Sequence, residues 1–125
     1  MPEWVVRAGL AREEHLIAAY RRHTGANGIY GFSVQYAPGK SIEELASAGR
    51  FPNPKISYAY DDELAASLSS QGYRMALVSS PGIGFHHTFM VLYDADGRLL
   101  KRLPADAART ISRTFRQTIN PHRVT

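Results

Sequence analysis

At 125 residues the chain has room for one domain, spanning 1–125, and for a single core that needs no covalent staple. It contains no cysteine, which excludes disulfides, thiolate nucleophiles and cysteine-based zinc sites, and its apolar runs fall far short of the ~20 residues of a membrane helix. The net charge of +4 is uneven: residues 98–125 carry seven basic side chains against Asp106 alone, and the rest of the chain is net −2.

In chain order, Glu3–Ala8 reads as a short strand and Arg12–His23 as a helix, with Leu16, Ala19, Tyr20 and His23 at helical spacing and Gly25 as its stop. Asn27-Gly28 marks a turn. Tyr30–Tyr36 alternates, with Tyr30, Phe32, Val34 and Tyr36 on one face and Gly31, Ser33 and Gln35 on the other, as a half-buried strand does. Ser41 and Glu44 form a capping box that opens a helix ending near Gly49. Phe51-Pro52-Asn53-Pro54 must be extended. Ile56–Tyr60 is a strand, Asp61 or Asp62 caps a helix stopped by Gly72, and Arg74–Ser79 is a further strand. Phe85–Tyr93, apolar on both faces beyond Thr88, predicts a central strand, and Arg98–Leu103 its hairpin partner across Asp94–Gly97. Pro104 opens a last helix with Ala108, Ile111 and Phe115 on its apolar stripe, and the tail from Asn120 is irregular. The order predicts an α+β domain: a mixed, mainly antiparallel sheet of five or six strands with three to four packed helices.

Candidate chemistry starts at His86-His87-Thr88. Counted along one continuous strand, His86 and Thr88 share a face and His87 points away, so an imidazole and a hydroxyl would meet one substrate group together. Arg7 is a cation among apolar neighbours on the first strand, costly to bury without an anion, and Ala8-Gly9 after it leaves room for a ligand. Ser33 and Gln35 share a strand face suited to a base or phosphate, and Ser57 lies in a similar polar group. Arg109, Arg113 and Arg116, at i, i+4 and i+7, are placed on one side of the last helix as phosphate contacts. No metal site is expected, since adjacent strand histidines point apart, no H-x-x-x-H pattern is present, and Asp94-Ala95-Asp96 reads as a hairpin turn. A two-histidine phosphoesterase would need a second H-x-T or H-x-S, which is absent, as are the phosphate-binding-loop, dinucleotide and serine-hydrolase signatures.

The strings Val6-Arg7-Ala8-Gly9, Gly31-Phe32-Ser33-Val34-Gln35, Ala48–Asn53, Ile56-Ser57, Gly84–Thr88 and Phe115-Arg116-Gln117 with Asn120-Pro121 resemble a group of small bacterial domains. Some of these look like C-terminal effector pieces of polymorphic toxins. The resemblance implies one of two activities. Metal-independent toxin ribonucleases of the barnase, EndoU and RelE-like grouping would use His86, Thr88 and Arg7 catalytically, with His122 or Tyr58 as a second proton-transfer group and no cofactor. ADP-ribosyltransferases of the arginine–serine–glutamate type would match Arg7 and Ser33 and consume NAD as substrate. Their glutamate has no counterpart, because the last glutamate is Glu63 and Phe85-His86-His87 stands where E-x-E is expected. A third class is a non-catalytic binding module, an immunity or adaptor protein. The leading expectation is an endoribonuclease whose partners are RNA and an acidic immunity protein. No signal peptide is visible in Met1–Leu10, and the site of action is expected in the cytoplasm, reached as a delivered effector.

Overall fold

The computed structural model describes residues 2–80 and 84–121. Seven strands and four helices follow one another as β1 (Trp4–Ala8), α1 (Glu13–Ala19), β2 (Arg21–His23), β3 (Ile29–Tyr36), α2 (Ile42–Gly49), β4 (Lys55–Tyr60), α3 (Asp61–Ser69), β5 (Arg74–Ser79), β6 (His87–Tyr93), α4 (Ala105–Thr114) and β7 (Arg116–Ile119). The fold is α+β, and all six strand pairings are antiparallel. The strand order is β5-β6-β3-β1-β4-β7, with β2 paired to the first residues of β3.

Local chemistry accounts for several elements. The capping box is formed: the Glu44 amide donates to Ser41 Oγ at 3.1 Å and the Ser41 amide donates to Glu44 Oε1 at 3.1 Å. At the other end of α2, Arg50 takes the left-handed conformation (φ 51°) and ends the helix. In contrast, α1 stops at Ala19 rather than His23, because Arg21–His23 pair with Ile29–Gly31 and tertiary pairing overrides the helical spacing. Asn27, left-handed at φ 58°, turns the chain between the two strands. Residues 98–103 form no strand. Leu100 N donates to Leu92 O, but the Tyr20 hydroxyl takes the complementary pair, accepting from Leu92 N at 3.0 Å and donating to Leu100 O at 2.8 Å. A phenol therefore stands where the second ladder bond would be. α4 ends at Thr114, so Arg116 begins edge strand β7, which pairs with β4.

Each sheet face is covered differently. On one face Val5, Phe32, Val34, Met90 and Leu92 pack against α1, α3 and α4 through Leu16, Leu64, Leu68, Ala107 and Ile111. On the other, α2 covers only one end, where Leu45 and Ala46 meet Val6 and Ile56. A separate cluster of Ala26, Phe89 and Val91 lies further along that face. Between these two clusters the face is polar: Ser33, Gln35 and His87.

Gly31 sets how closely β3 and β6 approach. Its φ is 139°, and a Cβ there would collide with the carbonyl oxygen of Met90. Gly31→Ala therefore adds a backbone clash to a conformation that side chains avoid, and should cost about 3 kcal/mol. Urea unfolding checks this, and a loss under about 1 kcal/mol would mean that the two strands can move apart.

Candidate functional site

The site forms where two strands part company. β1 pairs with β3 only through Val5↔Tyr36 and Val6↔Gln35, yet stays with β4 as far as Ala8↔Ile56. β2 takes up β3 only from Gly31 backwards. Phe32–Val34 thus pair with β6 but with neither β1 nor β2. Arg7 fills this parting: its Nη1 donates to the Ser33 carbonyl at 2.6 Å, and its guanidinium lies 5.2 Å from the Phe32 ring centre. Those contacts occupy one of five guanidinium donors. No carboxylate lies within ion-pair distance of Arg7 among the described residues. Burial lowers its pKa from the ordinary arginine value, and a desolvated cation of this kind favours an incoming anion.

A cleft of about 650 Å³ opens at the parting, walled by Arg7 and Ala8, by Ser33–Gln35, by Ala48–Phe51 after α2, and by Gly84, Phe85 and His87. A shallower depression of about 360 Å³ adjoins it, sharing Ser33 and His87 and adding Arg21, His23, Thr24 and Phe89. Together they make a trough along the polar strip of the sheet. Arg7, Arg21 and Arg50 line it, and no aspartate or glutamate does, among the described residues.

Two polar atoms in the trough are buried without a hydrogen-bond partner, Gln35 Oε1 and His87 Nδ1. Gln35 is only 7% exposed. An unsatisfied buried polar group costs free energy, and here both belong to side chains that line the cleft. Two imidazoles flank one phenyl ring: His23 is 4.4 Å and His87 is 4.9 Å from Phe89, centre to centre. His23 Nε2 donates to the Gly31 carbonyl at 2.6 Å, which fixes the ring and leaves Nδ1 for a ligand. Desolvation, with the neighbouring His23 as a second cause, holds the His87 pKa below 6.5.

The residues singled out from sequence are distributed unequally. Arg7, Ser33 and Gln35 meet in the cleft. His86 does not line it, because His86 sits in the turn before β6 with φ 63°, and strand alternation starts only at His87. His87 and Thr88 do lie on opposite faces, but it is His87, opposite Gln35 in register, that shares the face of the cleft. Thr88 is 1% exposed on the helix-covered side and spends its hydroxyl on the His86 carbonyl, 3.2 Å away. Ser57 is fully buried and ties the β1–α1 loop by donating to Gly9 O and accepting from Ala11 N. Arg109, Arg113 and Arg116 are exposed, with Ile111 and Phe115 buried. However, Arg116 belongs to β7 rather than the helix, α4 lies on the face away from the trough, and Arg109 and Arg116 pair with Glu13 and Glu63. Tyr58 packs edge-on against Trp4 under α2, and His122 lies outside the described residues.

Sequence reasoning missed His23, His87, Arg50 and Asn120. The Asn120 amide donates to the carbonyls of Phe51 and Asn53 at 2.9 and 3.0 Å, pinning the loop that walls the cleft. Asn53-Pro54 was a legible signal that this loop needs an outside tie, since a proline lacks the donor to make one. Among the described residues no cluster of three His, Cys, Asp or Glu side chains is placed to hold a metal ion. None of the four helices is long and apolar enough to cross a membrane.

His87 gives the site a pH signature. Its folded-state pKa lies below 6.5, so above that pH it carries no penalty in either state. As the pH falls below 6.5 the unfolded chain takes up a proton that the folded chain resists, and stability declines through the folded value. Imidazole NMR should show one histidine titrating below the ordinary range, absent in His87→Gln, and that variant should lose part of the acid sensitivity. A His87 resonance titrating at or above 6.5 would contradict the burial argument.

No known protein family, curated protein or solved structure matches the chain, so the geometry of the trough itself carries the functional reading.

Proposed function

We propose that the trough binds RNA and cleaves it without a metal ion, as a toxin-type endoribonuclease. One observation carries this reading: two imidazoles, His23 and His87, lie against Phe89 in a depression that Arg21 lines and, among the described residues, no carboxylate does. Metal-free RNA cleavage needs a base, an acid and a cation, and these residue types converge here. Neutral His87 accepts the 2′-hydroxyl proton on its imidazole, and the freed oxygen attacks the adjacent phosphorus. The bond to the 5′-oxygen breaks, and protonated His23 donates its Nδ1 proton to that leaving oxygen. The products are a 2′,3′-cyclic phosphate and a free 5′-hydroxyl. Arg7 and Arg21 offset the charge of the phosphorane, the Ser33 hydroxyl donates to a phosphate oxygen, and Gln35 meets a base edge. On this reading the catalytic histidine of β6 is His87, while His86 and Thr88 shape the strand entry. The protein acts on RNA in the cytoplasm, and an acidic immunity protein would cover the trough.

A second reading has its own observation. Arg7 and Ser33 meet at the opening of the sheet beside the unpartnered Gln35 carbonyl oxygen, an arrangement that suits NAD. Against turnover of NAD, no carboxylate lines the cleft to stabilise an oxocarbenium ion, among the described residues.

Purified protein should cleave RNA in EDTA and leave 2′,3′-cyclic phosphate ends. His23→Ala and His87→Ala should each lower kcat by roughly 10²–10⁴, the range for losing one proton-transfer group, with His86→Ala within about tenfold of wild type. The rate should fall as the pH drops through the lowered folded-state pKa of His87, because protonated His87 cannot act as base. Intact RNA alongside loss of NAD in the same tube would replace the first reading with the second.

A further inference from the structure

The lip of the cleft carries an aromatic ring that the fold does not use. Phe85 is 73% exposed, although it lies two residues before the largely buried strand β6, and it lines the cleft. Its ring leans on His86, with centres 4.1 Å apart and planes at 47°. The backbone beneath is strained to hold it there: His86 has φ 63°, a left-handed conformation that a side chain rarely adopts. Two hydrogen bonds clamp that geometry, both to the His86 carbonyl, from the Tyr36 amide at 3.1 Å and from the buried Thr88 hydroxyl at 3.2 Å. A strained turn held by two hydrogen bonds thus delivers a bare phenyl ring to the rim of a basic cleft.

We infer that Phe85 is a stacking platform for a nucleobase, and that the substrate is therefore single-stranded RNA. This rests on the RNA reading above and deepens it. A duplex keeps its bases stacked on one another and offers a protein only its backbone and grooves, whereas a single strand can lay an unstacked base on an aromatic face. Arg7 and Arg50 in the same cleft lie where the attached phosphates would run. Thr88 is, on this account, a positioning residue: it holds the turn that presents Phe85 and touches no substrate.

The test separates binding from cleavage. A labelled all-2′-deoxy oligonucleotide cannot be cleaved by this chemistry, so fluorescence anisotropy with it reads binding alone, as single strand and as duplex. Wild type should bind the single strand at least about tenfold more tightly than the duplex. Phe85→Ala should weaken single-strand binding roughly 5- to 100-fold, the range of one base–aromatic stack, and should raise KM for RNA with kcat nearly unchanged. Phe85→Trp should retain affinity, with its tryptophan emission quenched by the bound base. Equal affinity of Phe85→Ala and wild type, or equal affinity for single strand and duplex, overturns the platform. If wild type nonetheless cleaves RNA, only the platform falls. If wild type binds neither form and cleaves no RNA, the RNA reading falls with it.

Discussion

The contact on which the site depends is the one between the Arg7 guanidinium and the Ser33 carbonyl. Two adjacent central strands that separate after two paired residues leave main-chain groups without a ladder, and such groups must be satisfied inside a folded chain. Arg7 does this with one donor and keeps the others for the cavity that the separation creates. Sheet opening and cationic lining are therefore a single feature. A shorter side chain at position 7 would leave the Ser33 carbonyl without this donor, and a fully paired β1–β3 ladder would close the cleft. The guanidinium also lies against Phe32, part of the main core, so the site is seated on the best-packed region of the molecule.

The polar strip follows from how helices are shared between faces. Three helices cover one side of the sheet, but α2 alone packs on the other, and it reaches only Val6 and Ile56. Beyond its end the chain must turn sharply, which Arg50 does in a left-handed conformation, and the Phe51–Asn53 loop is then held by Asn120 from the far edge of the sheet. What remains uncovered is Ser33, Gln35 and His87, flanked by aromatic rings. A face designed only for stability would carry apolar residues here under a fifth helix. Instead it holds two buried polar atoms without a hydrogen-bond partner, a cost in stability that falls on side chains lining the cleft.

Much of the scaffold was legible because its signals are local. Ser41 with Glu44, Gly49 closing the helix, the alternation over Tyr30–Tyr36 and the proline before α4 are each decided by neighbours within a few residues. What escaped was set by distant partners. β2 exists because Arg21–His23 find Ile29–Gly31, β7 because Arg116–Ile119 find β4, and the expected partner strand at 98–103 is displaced by a hydroxyl from Tyr20. Of the site, Arg7, Ser33 and Gln35 were legible from alternation and from an unexplained charge. The histidine of β6 was not: parity sets His87 and Thr88 on opposite faces, as they are, but which of those faces meets Gln35 is decided by pairing with β3, and His86 lies in the left-handed turn before the strand. His23 was hidden by the same substitution of strand for helix that produced β2.

Charge tells a related story about where an electrostatic argument applies. The C-terminal quarter is the most basic part of the sequence, yet Arg109 and Arg116 face Glu13 and Glu63 across the helix-covered side, so part of that excess is neutralised locally. Exposed pairs of this kind contribute little to stability, but they do weaken the field that a polyanion would sense. The trough has fewer cations and a stronger claim, because the eleven carboxylates of the chain are all elsewhere. Low-dielectric walls around Arg7 and an absence of counter-charge raise the local potential more than sequence-averaged net charge does. Binding of an anion there would in turn stabilise protonated His87 as well as Arg7, so ligand and proton uptake are coupled through the same strip of sheet.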